Sequence, residues 1–351
     1  MEHKKFEYID SLRGIAILLV IIVHIPILGD FNYSHWLIEK FIYNGKLGVQ
    51  LFFVTSAFTL ILSYNNRIGE QNKNKKFFIR RFFRIAPFYY IMAIFMLFDN
   101  LLKWNIVPLT EYDNNILPKF LTHIFFVNSL SPKYILSFIP GGWTISVEFL
   151  FYLTVPLICN KIKNLNSCIK FVCISIILSF VINRLLSVFI QDGNFEYFNP
   201  ISQFPVFTLG FLAYYIINDN QAKIKASTIG LCLSTILFFC YFRLPYHILY
   251  SFMFGGLIVL LSIKPYKVLS NKIIAQIGKV SFSMYIIHFI VIYTLIKLNI
   301  NTIIGFNGDM YFFILYYFLI AAISYCISFI TYTYIEKPFQ NIGRKIIGKI
   351  N

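Results

Sequence analysis

Ten apolar runs of roughly twenty residues follow one another along this chain, and no other feature limits its architecture as much. A helix rises about 1.5 Å per residue, so such a run matches the roughly 30 Å hydrocarbon core of a bilayer. The runs lie near 9–28, 45–64, 81–101, 142–159, 168–190, 201–218, 227–243, 246–263, 276–297 and 311–335. They predict an all-α polytopic membrane protein with about ten transmembrane helices. Composition agrees, because 58% of the 351 residues are hydrophobic and 13% are charged, whereas soluble domains run nearer a quarter charged. Spans stacked in one bilayer fold as a unit. One transmembrane domain is therefore expected over 1–340, followed by a short basic cytoplasmic tail over 341–351.

The stretch 117–140, "LPKFLTHIFFVNSLSPKYILSFIP", is apolar but broken by polar residues and Pro132. It reads as an interfacial or re-entrant element, buried against protein wherever it dips into the membrane. The first run follows Lys4 and Lys5, as a cleaved signal peptide would. Arg13 and His24 interrupt its core, however, and no small-x-small cleavage site precedes Asp30, so it is expected to stay as a span.

The formal net charge of +16 first suggests nucleic acid, but the basic residues sit in short clusters between spans. "KNKKFFIRRFFR", "NKIKN" and "QAKIK" have the look of cytoplasmic loops under the positive-inside rule. No nucleic-acid partner is expected. The clusters suit contact with anionic lipid or phosphorylated ligands. With ten spans both termini share a side, and most Lys and Arg fall on it, which assigns both termini to the cytoplasm. Asp30, Glu39, Glu111, Asp113, Asp192, Glu196 and Asp309 then lie outside. Six cysteines, most of them in or beside apolar runs, show no ligand spacing, so neither a disulfide framework nor a metal site is expected.

Ionisable groups inside spans are expensive and mark functional sites by default. Arg13 and His24 are eleven residues apart in the first span, close to three whole turns, which puts them on one face about 16 Å apart. A shared channel needs such an alignment; the plainer alternative is that Arg13 pairs with Asp10 and His24 is a hydrogen-bonded core residue. Arg81 and Arg84 are neighbours on one helix face at the cytoplasmic boundary, and paired guanidinium groups suit phosphate. Arg80 reads as ordinary boundary charge. Glu148 enters from outside in "GGWTISVEFLFYL" and is expected at a depth like that of His24, either orienting its imidazole or pairing with Arg184. Trp143, Ser146, Arg184 and His288 are candidate cavity-lining residues. His35, His123 and His247 fall in loops or at span ends, and Glu336 is expected to pair with Lys337 or another neighbour.

Together these residues make the chain resemble the acyltransferase-3 family of integral membrane acyltransferases. The resemblance runs from "YIDSLRGIAILLVIIVH" to "YIEKPF". Its most specific element is a basic residue, ten positions, then histidine, here Arg13 and His24. "GVQLFFVTSAFTLILSY", Arg81-x-x-Arg84, "GGWTISVEFLFYL" and "GKVSFSMYIIHF" follow in the family's order. Two departures stand out. Ala57 replaces a customary glycine after Ser56, and "SVEFLFYL" keeps Glu148 but lacks a second carboxylate beside it. No appended soluble domain is expected after the last span.

The resemblance implies transfer of an acyl group, most often acetyl, from cytoplasmic acyl-CoA to a hydroxyl of a lipid-linked or cell-surface glycan such as an O-antigen, capsule or exopolysaccharide. The enzyme would sit in the cytoplasmic membrane and hold no permanent cofactor, with acetyl-CoA or another acyl-CoA as donor substrate. Arg13, Arg81 and Arg84 would then hold the CoA phosphates. His24 would act as general base or take the acyl group first, supported by Glu148. The alternative from another class is a transporter of glycans or small anions, which also needs intramembrane charge. It fits less well, since no repeat relates the two halves and the basic clusters crowd one side. A glycosyltransferase using Asp30 or Glu39 leaves the alignment of Arg13 with His24 unexplained.

Overall fold

The computed structural model describes residues 7–29, 36–104, 106–107, 116–219, 226–242, 244–300 and 310–350. Asp30, His35, Glu111, Asp113, Asp309 and the "QAKIK" cluster lie outside these described residues. Every described regular element is helical. In chain order they are α1 Glu7–Gly29, α2 Trp36–Tyr43, α3 Gly48–Asn65, α4 Lys73–Leu101, α5 Ile116–Ile124, α6 Gly142–Lys161, α7 Leu165–Phe189 and α8 Gly193–Phe198. There follow α9 Pro200–Asn218, α10 Ala226–Phe242, α11 Tyr246–Ile263, α12 Lys272–Lys279, α13 Ser281–Lys297, α14 Met310–Thr331 and α15 Lys337–Gly348.

Each of the ten runs has a helix. Among the described residues, eight helices are long and apolar enough to cross a membrane, and a ninth results if α12 and α13 count as one span. Two runs fall short of a straight span. The run at 227–243 becomes the shorter α10. The run at 276–297 is broken at Val280 by a bend of 76° between α12 and α13. Apolar side chains also cover the outside, as they must against lipid: on α7, Val188 and Phe189 are 68% and 84% exposed.

The break has a packing cause. α12 crosses the start of α1 so closely that a Cβ on Gly278 would lie 1.7 Å from the Asp10 carbonyl oxygen, and one on Gly14 would lie 2.2 Å from that of Ile274. Backbone meets backbone, as small residues allow in membrane proteins. Ser11 Oγ also donates to the Asn271 carbonyl at 3.2 Å. Gly278→Ala is expected to destabilise the protein by about 1–3 kcal/mol through overpacking, read as a lower Tm in detergent; an unchanged Tm would show that the crossing relaxes freely.

α3 runs antiparallel to α1, with Gly48 against Ala16 and Arg13 bonded to Thr59. On its other side Ala57 meets Gly210 of α9, whose Cβ position lies 2.7 Å from the Ala57 Cβ. The customary glycine absent at position 57 thus has its counterpart across the contact. The 117–140 segment is the broken element expected, formed by α5, a 3-10 turn at Asn128–Leu130 and further turns. It is anchored inward, because Ser146 Oγ bonds Ser129 Oγ at 2.6 Å and donates to the Phe126 carbonyl at 2.7 Å. α14 runs through a π-helical turn, Tyr332–Glu336, into α15, where Gly343 abuts Phe83 of α4.

Candidate active site

His24 faces the protein interior. Its Nδ1 lies 2.8 Å from the Val20 carbonyl oxygen, and His288 Nδ1 lies 3.1 Å from that of Met284. A carbonyl can only accept, so both Nδ1 atoms carry the hydrogen, and both neutral rings keep a lone pair on Nε2. His288 Nε2 in turn lies 3.3 Å from His24 Nδ1 and takes a second share of its hydrogen. The His24 imidazole is therefore held by two acceptors on one nitrogen while Nε2 keeps its lone pair. Phe289 packs on His24 at 4.6 Å between ring centroids.

Tyr285, one turn before His288, leads away from this pair. Its ring lies 5.8 Å from that of His288, and it also lines a cavity of about 60 Å³ with Arg13, Arg84, Ser56, Glu148 and Tyr152. There Glu148 accepts hydrogen bonds from Ser56 Oγ and, at 2.6 Å, from the Tyr152 hydroxyl. Arg13 Nη2 donates to Thr59 Oγ1 at 3.0 Å, not to Asp10. Arg81 lies a turn before Arg84 on α4, 9% exposed, with its guanidinium 5.6 Å from the Phe77 ring and 5.9 Å from the Tyr152 ring. Its Nε has no hydrogen-bond partner. Polar groups thus form a file through the bundle: Arg81, then Arg13 with Arg84 and Glu148, then Tyr285, then His288 and His24.

Several expectations need correction. Glu148 does not share the depth of His24 and makes no bond to it; it sits by Arg13, about three helical turns away. The inward-folded 116–141 segment causes this. Gly141, at φ +71°, caps α6 already inside the protein, where its Cβ position is 2.8 Å from both Phe289 and the Tyr285 hydroxyl. Counting from an outer surface places Glu148 too shallow. It does not pair with Arg184 either, because Arg184 is exposed on α7 and lines a separate recess. Trp143 packs edge-on against Phe53 and tilted against Phe198, and Ser146 anchors the 126–130 turns. Neither lines the cavity, since Thr144, Glu148 and Tyr152 repeat at helical spacing on one face and Ser146 points half a turn away.

His123 and His247 do stand at helix ends, near the close of α5 and the start of α11, but they are buried, at 0% and 8% exposure. Glu336 accepts from Ser283 Oγ rather than from a lysine; the π-helical turn inserts the extra residue that aims it inward. Arg80 forms a two-pronged ion pair with Glu70 at 2.8 and 3.0 Å, as boundary charge does. Tyr285, Tyr152, Ser56 and Thr59 were not singled out from sequence. The first two lie at i−3 from His288 and i+4 from Glu148, which is the signal that reveals them.

Among helices long and apolar enough to cross a membrane, a polar file thus has a histidine at one end and arginines at the other. The model of the acyltransferase domain Acyl_transf_3 matches residues 6–333, and the chain belongs to the acyltransferase-3 family. It is an acyltransferase. It is 26% identical to a "putative acetyltransferase" of Acidianus two-tailed virus, over 80% of this chain and 81% of that protein. It is 23% identical to a "putative O-acetyltransferase" of Staphylococcus aureus strain COL, over 99% of this chain. The chain spans about 60% of the length of that relative and of its counterpart in strain MW2. No solved structure matches the chain.

Proposed function

We propose that the protein moves an acyl group, most simply acetyl, from cytoplasmic acyl-CoA to a hydroxyl of a glycan at the other face of the cytoplasmic membrane. The observation that carries this is the file of buried and half-buried polar groups from Arg81 to His24. The positive-inside pattern puts the arginine end in the cytoplasm, where CoA is found. The 16 Å or so from Arg13 to His24 suits a pantetheine arm whose phosphates stay among the arginines. His24, with Nε2 unprotonated, then takes the proton from the attacking sugar hydroxyl, or first accepts the acyl group itself; in either route the thioester C–S bond breaks and CoA leaves as the thiol.

The test is transfer by purified protein of radiolabelled acetyl from acetyl-CoA to base-labile ester on a glycan from the source cell. Absence of both CoA binding and transfer would end the reading. Arg81→Ala combined with Arg84→Ala is expected to weaken CoA binding by about 10–100-fold, the scale of losing charge-assisted phosphate contacts. Calorimetric titration with CoA checks it, and equal affinity would remove the arginines from the donor site.

A further inference from the structure

A second, larger recess opens at the end of the bundle where α1 finishes, between α2, α7, α8 and α11. Its volume is about 620 Å³, against about 60 Å³ for the cavity around Arg13, and it falls within the usual range of ligand pockets. Lys40, Lys46 and Arg184 line it with one carboxylate, that of Glu196, so positive charge is in excess. Neither Lys40 nor Arg184 spends its charge on the fold: among the described residues their side chains have no ion pair or hydrogen bond. The Lys46 ammonium rests 3.6 Å over the Tyr43 ring, another lining residue. A forked guanidinium with two ammonium groups is a phosphate-binding set.

The wall behind these charges is preformed and aromatic. Tyr197 is fixed by Gln50 Nε2, which donates to its hydroxyl at 2.8 Å. Asn183, also lining the recess, accepts from Asn199 Nδ2 at 2.8 Å. His247 Nε2 donates to the Ser202 carbonyl at 3.2 Å, leaving its Nδ1 as an acceptor. Tyrosine faces with amide and imidazole groups suit the C–H faces and hydroxyls of a sugar or glycerol. The recess stands apart from His24 by one turn of backbone. The 3-10 turn Asn44–Leu47 forms its inner wall, and the Cβ position of Gly45 in that turn lies 3.1 Å from Val23, the residue before His24.

We propose that this recess binds a phosphate group carried on a sugar or other polyol. Resting on the proposed glycan acceptor, it would hold the anionic part of that acceptor while a neighbouring residue presents its hydroxyl to His24. The same chemistry can come from a phospholipid headgroup, and the test separates the two sources. The full chain in phosphatidylcholine nanodiscs is titrated with glucose 1-phosphate and with glucose. At least tenfold preference for the phosphate is expected, lost at least tenfold in Arg184→Gln combined with Lys46→Gln and largely kept in Arg184→Lys. CoA affinity should stay within twofold in each variant, which also reports folding. Weaker glucose 1-phosphate binding in phosphatidylglycerol nanodiscs identifies the headgroup as an occupant of the same site; unchanged binding identifies the soluble phosphate. Equal affinity for glucose and glucose 1-phosphate, or an unaffected Gln double variant, overturns the proposal. CoA binding without phosphate preference sinks the recess alone, whereas phosphate preference without CoA binding sinks the donor reading alone.

Discussion

His24→Ala is expected to lower acyl transfer by about 10²–10⁴-fold, the range a positioned general base contributes, and by more if the imidazole carries the acyl group. Membrane insertion and CoA affinity should stay near normal, because the ring lies about 16 Å from the arginines and its removal cuts only bonds to Val20 and His288. The measurement is ester formed on the glycan per mole of membrane-extracted protein, beside CoA titration of the same preparation. Full acylation in this variant would take His24 out of the mechanism. His24→Gln refines the result, since a side-chain amide can still donate to the Val20 carbonyl but offers no base. It should be as inactive as the alanine variant.

Glu148→Gln is the second large effect, and its form follows from where the carboxylate lies. Glu148 is the one acidic residue lining a cavity it shares with Arg13 and Arg84. Loss of its charge leaves two guanidinium groups facing each other with less compensation in a poorly solvated space. Turnover should fall by about 10–100-fold, whereas the more positive cavity should bind CoA as well as before or several-fold more tightly. Because no bond joins Glu148 to His24, the pH at half-maximal rate should not move. A shifted pH profile would restore the orienting role that sequence suggests; a normal rate would reduce Glu148 to a packing residue.

Much of this architecture was legible from hydropathy, because a bilayer imposes one length on every crossing helix. The alignment of Arg13 with His24 was legible for the same reason that any helical face is: eleven residues make three turns. The level of Glu148 was not. It depends on how far the 116–141 segment folds inward before α6 begins, and that is set by Ser146 holding the turns at Phe126 and Ser129, a contact between residues with no periodic relation. The bend at Val280 was hidden likewise, since Gly278 and Gly14 announce a close crossing only when both helices are in view. Arg184 misled because a charge within an apolar run says nothing about which side of the helix it occupies.

The cavity between Arg13 and Tyr285, at about 60 Å³, is far smaller than a pantetheine chain needs. On the proposed route the helices around it must part for each donor and close again behind it. A bore held open permanently would let protons and ions run down their gradients, discharging the cell's membrane potential. A tight resting state would make each proposed transfer event its own gatekeeper, letting chemical groups cross an electrically insulating layer without a leak.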